Sequence, residues 1–167
     1  MIIEVQGDIL LSRAQAIAHG MASGDPMNKG LALQLHEKYP MMHKDFHHWC
    51  HQQSPKPGTA WMWGGAGGVR IVNLITQEGG GAHASHPGRA TLSNVSHALH
   101  DLRKLCEKEG FTSIALPRLA TGVGGLEWSD VLPLIHQQLG DLDIPVYVYS
   151  TYQAGLAADE PRPHIRV

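Results

Sequence analysis

Residues 115–126 read ALPRLATGVGGL, and this stretch decides how the rest of the chain is interpreted. Apolar residues from Ser113 to Leu116 predict a short buried strand, and Pro117 to Glu127 is a loop that contains three glycines. Ser129 is expected to cap a helix that runs to Leu139, with Pro133 close to its first turn. Backbone N–H groups in such a loop suit a diphosphate. The spacing matches neither GxGxxG nor a P-loop, so a tight strand-to-helix connection without a ligand is an equal alternative.

Strand and helix patterns alternate outward from this stretch in both directions. Such alternation predicts an α/β fold with a partly parallel sheet, in which ligands bind at the carboxyl ends of the strands. Here those ends lead into the Gly-rich loops after Thr76 and Leu116. Gly20 is expected to stop the second strand and Pro40 to end the first helix. Strands are predicted at residues 2–5, 16–19, 59–63, 69–76, 113–116 and 144–149, and helices at 29–38, 41–53, 92–109 and 129–139.

The chain is predicted to form one domain over residues 1–150. Strands 59–63 and 69–76 flank a Gly-rich turn and are expected to pair as a hairpin. Residues 151–167 are expected to be a C-terminal extension, which Pro161 and Pro163 would leave loosely attached.

The composition is that of an ordinary globular protein. The 167 residues are 43% hydrophobic and 17% charged, and the net charge is −2. This balance excludes disorder and a broad nucleic-acid surface, but leaves single-stranded or modified nucleic acid open as a substrate. Cys50 and Cys106 are too few for a disulfide scaffold. No leader or membrane-spanning segment is recognisable, so we expect a cytoplasmic monomer without membrane contact.

Two shorter features add candidate binding residues. The segment Met27–Ala32 is a second loop-to-helix entry with a glycine, and its alternative is an ordinary helix start with Lys29 in solvent. Asp8 follows the first strand at a glycine turn. Its carboxylate can accept a hydrogen bond from an amine on a base, or equally bond its own backbone.

The segment from Met41 to His51 is rich in histidine. His43, His47 and His51 recur at four-residue steps, which would place them on one face of a helix. Histidines with this spacing can bind zinc, but no HExxH motif is present. A solvated polar face is therefore the preferred interpretation, and no metal or cofactor is expected.

Five short segments in this order resemble the macro domain family, which binds ADP-ribose. The resemblance covers residues 1–149 and implies a three-layer α/β/α fold around a mixed, mostly parallel sheet. The GGLxW ending at residues 124–128 is similar to the branch that contains the terminal glutamate-ADP-ribose hydrolases and the DNA-ADP-ribose-removing antitoxins. The matching segments are Gly7–Ile9, Ala16–Gly20, Met27–Ala32, Asn73–Thr76 and Leu116–Trp128.

The resemblance also implies which residues contact ADP-ribose. Asp8 would bind the adenine amine beside Ile9, and Tyr149 or Tyr152 would pack on the adenine ring. Residues 29–31 would lie along the distal ribose and diphosphate, and residues 121–126 would wrap the diphosphate and the proximal ribose. The implied ligand-binding residues are Asp8, Ile9, His19, Lys29, Gly30, Leu31, Arg118, Thr121, Gly122, Val123, Gly124, Gly125, Leu126, Tyr149 and Tyr152.

The chain departs from this branch at positions that carry chemistry. The branch has a nucleophilic lysine where Gln77 stands, and an amide cannot replace an amine that forms a covalent adduct. It has an aspartate at the position of Gly124, and an asparagine or serine at the position of Ala22.

Two interpretations follow from these departures. In the first, the protein hydrolyses ADP-ribose from a modified protein or nucleic acid. Asp25, His83 and His86 lie in loops that can face the proximal ribose; a histidine would be the general base, and Gln77 would orient the water. In the second, the protein binds ADP-ribose without cutting it; a phosphatase acting on ADP-ribose 1″-phosphate is a third option for the same site. Missing dinucleotide and P-loop motifs disfavour an oxidoreductase or an NTPase.

Overall fold

The computed structural model describes residues 1–64, 68–79 and 88–162. Within these ranges the strands are β1 (Ile2–Gly7), β2 (Ala16–Ala22), β3 (Ala60–Gly64), β4 (Arg70–Gln77), β5 (Ile114–Leu116) and β6 (Val146–Tyr152). The helices are α1 (Gly30–Lys38), α2 (Pro40–Gln53), α3 (Leu92–Glu109) and α4 (Trp128–Leu139), and a 3-10 turn covers Ile9–Leu11. None of these helices is long and apolar enough to cross a membrane.

The strands form one sheet in the order β1-β6-β5-β2-β4-β3. Only the edge pair β3 and β4 is antiparallel, and it is the hairpin that the sequence predicts. The other pairs are parallel. The predicted α/β fold with a mixed, mostly parallel sheet is therefore confirmed.

Alternating side chains of the strands divide the interior into two hydrophobic cores. On β2, Ala16 and Ala18 face the core beneath α3 and α4. Ile17 and Met21 face the opposite core, beneath α1 and α2. Residues of a strand point to opposite faces in turn, so a sheet covered by helices on both sides must be apolar at successive positions. The result is the expected three-layer α/β/α arrangement.

Several element boundaries differ from the sequence predictions by two or three residues, among them those of β2 and α4. β2 does not stop at Gly20 but continues to Ala22. A Cβ atom at Gly20 would lie 3.1 Å from Oγ1 of Thr76 on β4, so the glycine allows close approach of two paired strands instead of ending one. Helix α4 is capped at Glu127, not Ser129, and Pro133 lies inside the helix, beyond its first turn.

The chain after β6 is not loosely attached, contrary to the sequence prediction. β6 itself continues to Tyr152, and residues 153–162 then fold back beside β1. The amide of Asp8 donates to the carbonyl oxygen of Leu156 at 2.7 Å. The Tyr147 hydroxyl donates to the carbonyl oxygen of Pro161 at 2.8 Å. Residues 153–162 are therefore tied to the first strand and to the last.

Candidate functional site

Two adjoining cavities open at the carboxyl ends of the parallel strands. The first, which we name the glycine cavity, has a volume of about 300 Å³ and is lined by the Gly-rich loop of residues 120–124. The second, the tyrosine cavity, has a volume of about 610 Å³ and is lined by Tyr149 and Tyr152. Leu31, Pro117 and Arg118 line both cavities, so the two are halves of one cleft.

The tyrosine cavity has mostly apolar walls. Ile9, Leu31 and Leu33 face it together with the two tyrosines. The Tyr149 side chain is only 3% exposed, whereas Tyr152 is 57% exposed and offers an open aromatic surface. Of the two tyrosines that the resemblance indicates, Tyr152 therefore has the ring that a flat heterocycle can reach.

Glu160, from the folded-back end of the chain, braces one wall of the tyrosine cavity. Its carboxylate accepts hydrogen bonds from the Tyr149 hydroxyl at 2.8 Å and from the Ser12 hydroxyl at 2.6 Å. It also accepts one from the Arg13 amide at 2.9 Å. Burial raises the pKa of Tyr149, and the bond to Glu160 raises it further. The phenol therefore stays protonated and remains a donor at all physiological pH values.

Asp8 lies behind this wall and does not line either cavity. It caps the 3-10 turn, and its Oδ1 accepts from the Leu10 amide at 3.1 Å. Its Oδ2 accepts from the Gly155 amide at 3.0 Å. The sequence left open whether this carboxylate serves its own backbone, and the structure shows that it does. Its second bond goes to the end of the chain, which sequence reasoning missed.

The Gly-rich loop is held by its own backbone. The Thr121 hydroxyl donates to the carbonyl oxygen of Arg118 at 3.1 Å, and the Leu126 amide donates to that of Ala120 at 3.0 Å. Among the residues that the resemblance indicates here, Gly122, Val123 and Gly124 line the glycine cavity. Thr121, Gly125 and Leu126 do not, and their contacts shape the loop.

Gly124 is buried at a point where the loop has no room for a side chain. A Cβ atom there would lie 2.6 Å from the carbonyl oxygen of Ala120 and 3.0 Å from Cβ of Ala90. The Gly124 carbonyl oxygen also accepts a hydrogen bond from the Ala90 amide at 3.1 Å. The backbone of the loop therefore leaves no room for an aspartate side chain at this position.

Two cations stand at the cleft. Arg118 lines both cavities, and its guanidinium carbon lies 5.6 Å from the centre of the Trp128 ring. Its Nε donates to the carbonyl oxygen of Ser150 at the end of β6. Lys29 is the exposed N-cap residue of α1 and lines the glycine cavity, while Gly30 follows it on the tyrosine side. Positive charge is thus concentrated where the cavities meet.

His19 lies at the base of the glycine cavity and is only 2% exposed. Its Nε2 lies 2.7 Å from Oδ1 of Asn73 and must donate, since that oxygen only accepts. Burial lowers the pKa of His19 to about 4, against smaller opposing effects from Asn73 and Asp25. The ring is therefore neutral near neutral pH, and its Nδ1 is an acceptor.

The structure places two of the three catalytic candidates in the glycine cavity. Gln77 ends β4, is buried and lines the cavity beside Asp25. Both carboxylate oxygens of Asp25 are engaged: Oδ1 accepts from the Met27 amide at 2.8 Å and Oδ2 from the Ala22 amide at 3.3 Å. Asp25 thus shapes the loop after β2. His83, with His86, lies outside the described residues.

The histidines of α2 contact this same loop. His47 Nε2 donates to the carbonyl oxygen of Asp25 at 2.8 Å, and the His43 ring stacks between His47 and His36 of α1. Only His51 is on the exposed face that the sequence predicted. Within residues 1–64, 68–79 and 88–162, no three His, Cys, Asp or Glu side chains are arranged to hold a metal ion. The four-residue spacing predicted that the three histidines share one face of α2. It could not predict that this face contacts His36, because His36 lies on α1.

The chain was compared with known families and proteins. The family model described as "Macro domain" matches residues 19–135, which is more than half of the chain. The "DNA ADP-ribosyl glycohydrolase" of Mycobacterium tuberculosis is 29% identical, over 88% of this chain and 42% of that protein. Human "ADP-ribose glycohydrolase OARD1" is 26% identical, over 89% of this chain and 91% of that protein.

The bacterial relatives are longer than this chain. A Thermosipho africanus "DNA ADP-ribosyl transferase-DNA ADP-ribosyl glycohydrolase fusion protein" is 29% identical, and the chain matches 40% of its length. Among solved structures, the macrodomain of Thermus aquaticus DarG has a TM-score of 0.78 and 27% identity, over 90% of this chain and 98% of that one. The sheet order, the cleft at the strand ends and the matching family model agree, and the chain belongs to the macro domain family.

Proposed function

We propose that the chain binds ADP-ribose in this cleft and hydrolyses the bond between ADP-ribose and a modified macromolecule. The observation that carries the proposal is that two cavities of different character meet at Arg118. ADP-ribose has the same division, with an adenosine at one end, a ribose at the other and a charged diphosphate between them. The names of the bacterial and human relatives support the same substrate class.

Each part of the ligand finds suitable chemistry in the cleft. The exposed ring of Tyr152 and the apolar walls around it suit adenine, which stacks on aromatic side chains. Arg118, Lys29 and the N-terminus of α1 suit the diphosphate. The bare backbone of Gly122 and Gly124 allows close approach to the proximal ribose.

The hydrolytic step follows from what the glycine cavity contains. Water attacks the anomeric carbon of the proximal ribose, the bond from that carbon to the macromolecule breaks, and the departing atom takes up a proton. Gln77 cannot form a covalent adduct, so its amide would orient the water. The Nδ1 atom of His19 is a neutral acceptor at the base of the cavity. Asp25 supports the loop, since both its oxygens already accept backbone hydrogen bonds.

A reader that binds without cutting is the second candidate, and two observations favour it. No carboxylate can be placed at Gly124 without moving the loop. The Asp25 carboxylate is held by two backbone amides instead of pointing free into the cavity. Among the described residues, a diphosphate region beside a carboxylate that is already engaged is what a reader needs.

Two measurements test the proposal. Calorimetric titration with ADP-ribose tests binding, and no heat of binding at about millimolar concentration would refute it. Incubation with ADP-ribosylated DNA, ADP-ribosylated protein and ADP-ribose 1″-phosphate, followed by detection of the products, separates hydrolase, reader and phosphatase. If ADP-ribose is released, the variants Gln77→Ala, Asp25→Ala and His83→Ala identify the groups involved. Undiminished release by all three would refute these candidates. The cytoplasmic location and the monomeric state stay predictions.

A further inference from the structure

The loop after β2 is held from outside by a row of side chains on α1 and α2. Four consecutive loop residues, 24–27, are each contacted by a different side chain, three of them histidines. The contacts are Gly24 N to Cys50 Sγ at 3.4 Å, His47 Nε2 to Asp25 O at 2.8 Å, His43 to Pro26 O, and His36 Nδ1 to Met27 O at 3.4 Å.

The three histidine rings form a stack, which we name the histidine stack. The centres of the His36 and His43 rings are 3.8 Å apart, and those of His43 and His47 are 4.2 Å apart. All three rings are half-buried. Among the described residues, the buried Nε2 of His43 has no hydrogen-bond partner.

Protonation of the stack would weaken the support that it gives the loop. A neutral imidazole already supplies the one N–H donor that each carbonyl oxygen accepts, so a second proton adds no bond to the loop. A proton added to His43 would put an N–H at the buried Nε2, where no acceptor lies, and a positive charge between two other imidazoles. Burial lowers the pKa of His43, and His47 and His36 lower it further, while the charge of Asp25 opposes this.

The charged and titratable groups around the histidine stack lie on the loop and on α2, and one of those on α2 faces β3. The loop contributes Asp25, and α2 contributes Cys50, whose thiol has a raised pKa because it is partly buried. On the side of β3, Asp45 accepts a hydrogen bond from Trp63 Nε1 at 3.0 Å and is therefore engaged. Asp25 is the one carboxylate that acts on His43, and its oxygens are held by the loop amides.

We propose that His36, His43 and His47 are positioning residues that hold residues 24–27 in the shape that receives ADP-ribose, and that acidification releases this loop. The proposal rests on the proposed function, since Asp25, Pro26 and Lys29 line the glycine cavity. The loop needs such support because Met27 adopts the left-handed conformation, with φ of 53°, which a non-glycine residue holds only when its surroundings fix it.

The stack acts through the loop and touches no ligand. Because the pKa of His43 is lowered in the folded protein, its ring is neutral at neutral pH, and its support is lost as the pH falls from the ordinary histidine value of about 6.5 through this lowered pKa. Binding of ADP-ribose should therefore weaken on acidification before the whole domain unfolds.

The test compares titratable with non-titratable donors. In the double variant His43→Asn and His47→Gln, an amide NH₂ replaces the donating ring nitrogen of each histidine without a group that titrates. His48→Gln is the matched control, because His48 is exposed on the same helix. ADP-ribose affinity is measured by calorimetry at about pH 7.5 and about pH 5.5. Amide hydrogen exchange of residues 22–29 is measured at both pH values without ligand, and thermal melting confirms that each variant is folded.

The wild type and His48→Gln should bind about tenfold more weakly at the lower pH, with smaller amide protection factors in the loop after correction for the intrinsic pH dependence of exchange. The double variant should match the wild type at neutral pH and change about twofold or less on acidification. An equal loss in the wild type and the double variant would overturn the proposal, as would protection factors in the loop that do not respond to pH. If ADP-ribose does not bind at either pH, the proposed function fails, and the exchange of the ligand-free loop still decides whether the stack controls it.

Discussion

The two halves of the cleft are built in different ways. The glycine cavity is made by loops that follow β2 and β5, which are held by hydrogen bonds within each loop and by contacts from α1, α2 and Ala90. The tyrosine cavity is made by the end of β6 and the 3-10 turn after β1, and it is braced by Glu160 from the segment after β6. One half therefore depends mostly on loop geometry and on helices nearby in sequence, and the other on a contact across about 150 residues.

The difference predicts different sensitivities. At Gly124, in the glycine cavity, a single added carbon atom has no room, and the His19 imidazole of this cavity has a pKa lowered by burial. In the tyrosine cavity the phenol of Tyr149 has a raised pKa, so it does not change charge near neutral pH. Steric changes and acid should therefore act on the first half, and loss of long-range contacts on the second.

The largest effect is expected from Gly124→Asp, which introduces the carboxylate that the family resemblance implies for this position. Its Cβ atom would lie 2.6 Å from the Ala120 carbonyl oxygen, so the loop must move. We expect ADP-ribose to bind about a hundredfold more weakly and the free energy of unfolding to fall by about 1–3 kcal/mol. Gly122→Ala is the control for the free energy of unfolding alone, because no atom of the described residues other than its chain neighbours lies within 4 Å of its Cβ position. Tight binding by Gly124→Asp in calorimetry would show that the loop is not rigid.

The second effect concerns the loss of folding stability at acid pH that is due to His19. His19 is neutral when folded, with a pKa lowered to about 4 by burial. The unfolded chain therefore takes up this proton first, and stability is lost as the pH falls from about 6.5 towards 4. The loss attributable to His19 should approach about 3 kcal/mol. The free energy of unfolding is measured with urea at several pH values for the wild type and for His19→Gln, which keeps a donor for Asn73. Between about pH 6.5 and 4 it should fall less steeply in the variant. An equally steep fall in both proteins would contradict the prediction.

Arg118 should have a smaller effect, confined to the charged centre of the ligand. Its guanidinium lies where the cavities meet, so Arg118→Ala should weaken ADP-ribose binding about tenfold. Adenosine, which has no diphosphate, should bind the variant and the wild type equally. Arg118→Lys keeps the charge and should recover part of the affinity. Calorimetry with both ligands checks this, and an equal loss for adenosine would mean that Arg118 only shapes the tyrosine cavity.

The sequence identifies the glycine cavity better than the tyrosine cavity, for a physical reason. Glycine clusters and strand-loop-helix spacing are local signals, and they placed Gly122, Val123 and Gly124 in one loop correctly. They could not show that Gly20 stays within β2, because the reason is the neighbouring side chain of Thr76 on another strand.

Partners from distant segments are invisible to local patterns. The histidine spacing in α2 predicted a common face, but the contact with His36 depends on how two helices cross. Glu160 lies between prolines and exposed residues, so nothing nearby marks it as the partner of Ser12 and Tyr149. A charged residue near a chain end is solvated in most proteins, and only the folded structure shows the exception.

The smallest effect, and the one that tests the tyrosine half alone, is expected from Glu160→Gln. The amide keeps the shape of the side chain and one acceptor oxygen, but loses the charge that strengthens the bonds from Ser12 and Tyr149. Affinity for adenosine and ADP-ribose should fall equally, by about threefold, because only the adenine wall is loosened. Glu107→Gln is the control, since Glu107 pairs with Arg103 on α3. A larger loss for ADP-ribose than for adenosine would mean that the brace also reaches the glycine cavity, and the two halves would then be one mechanical unit.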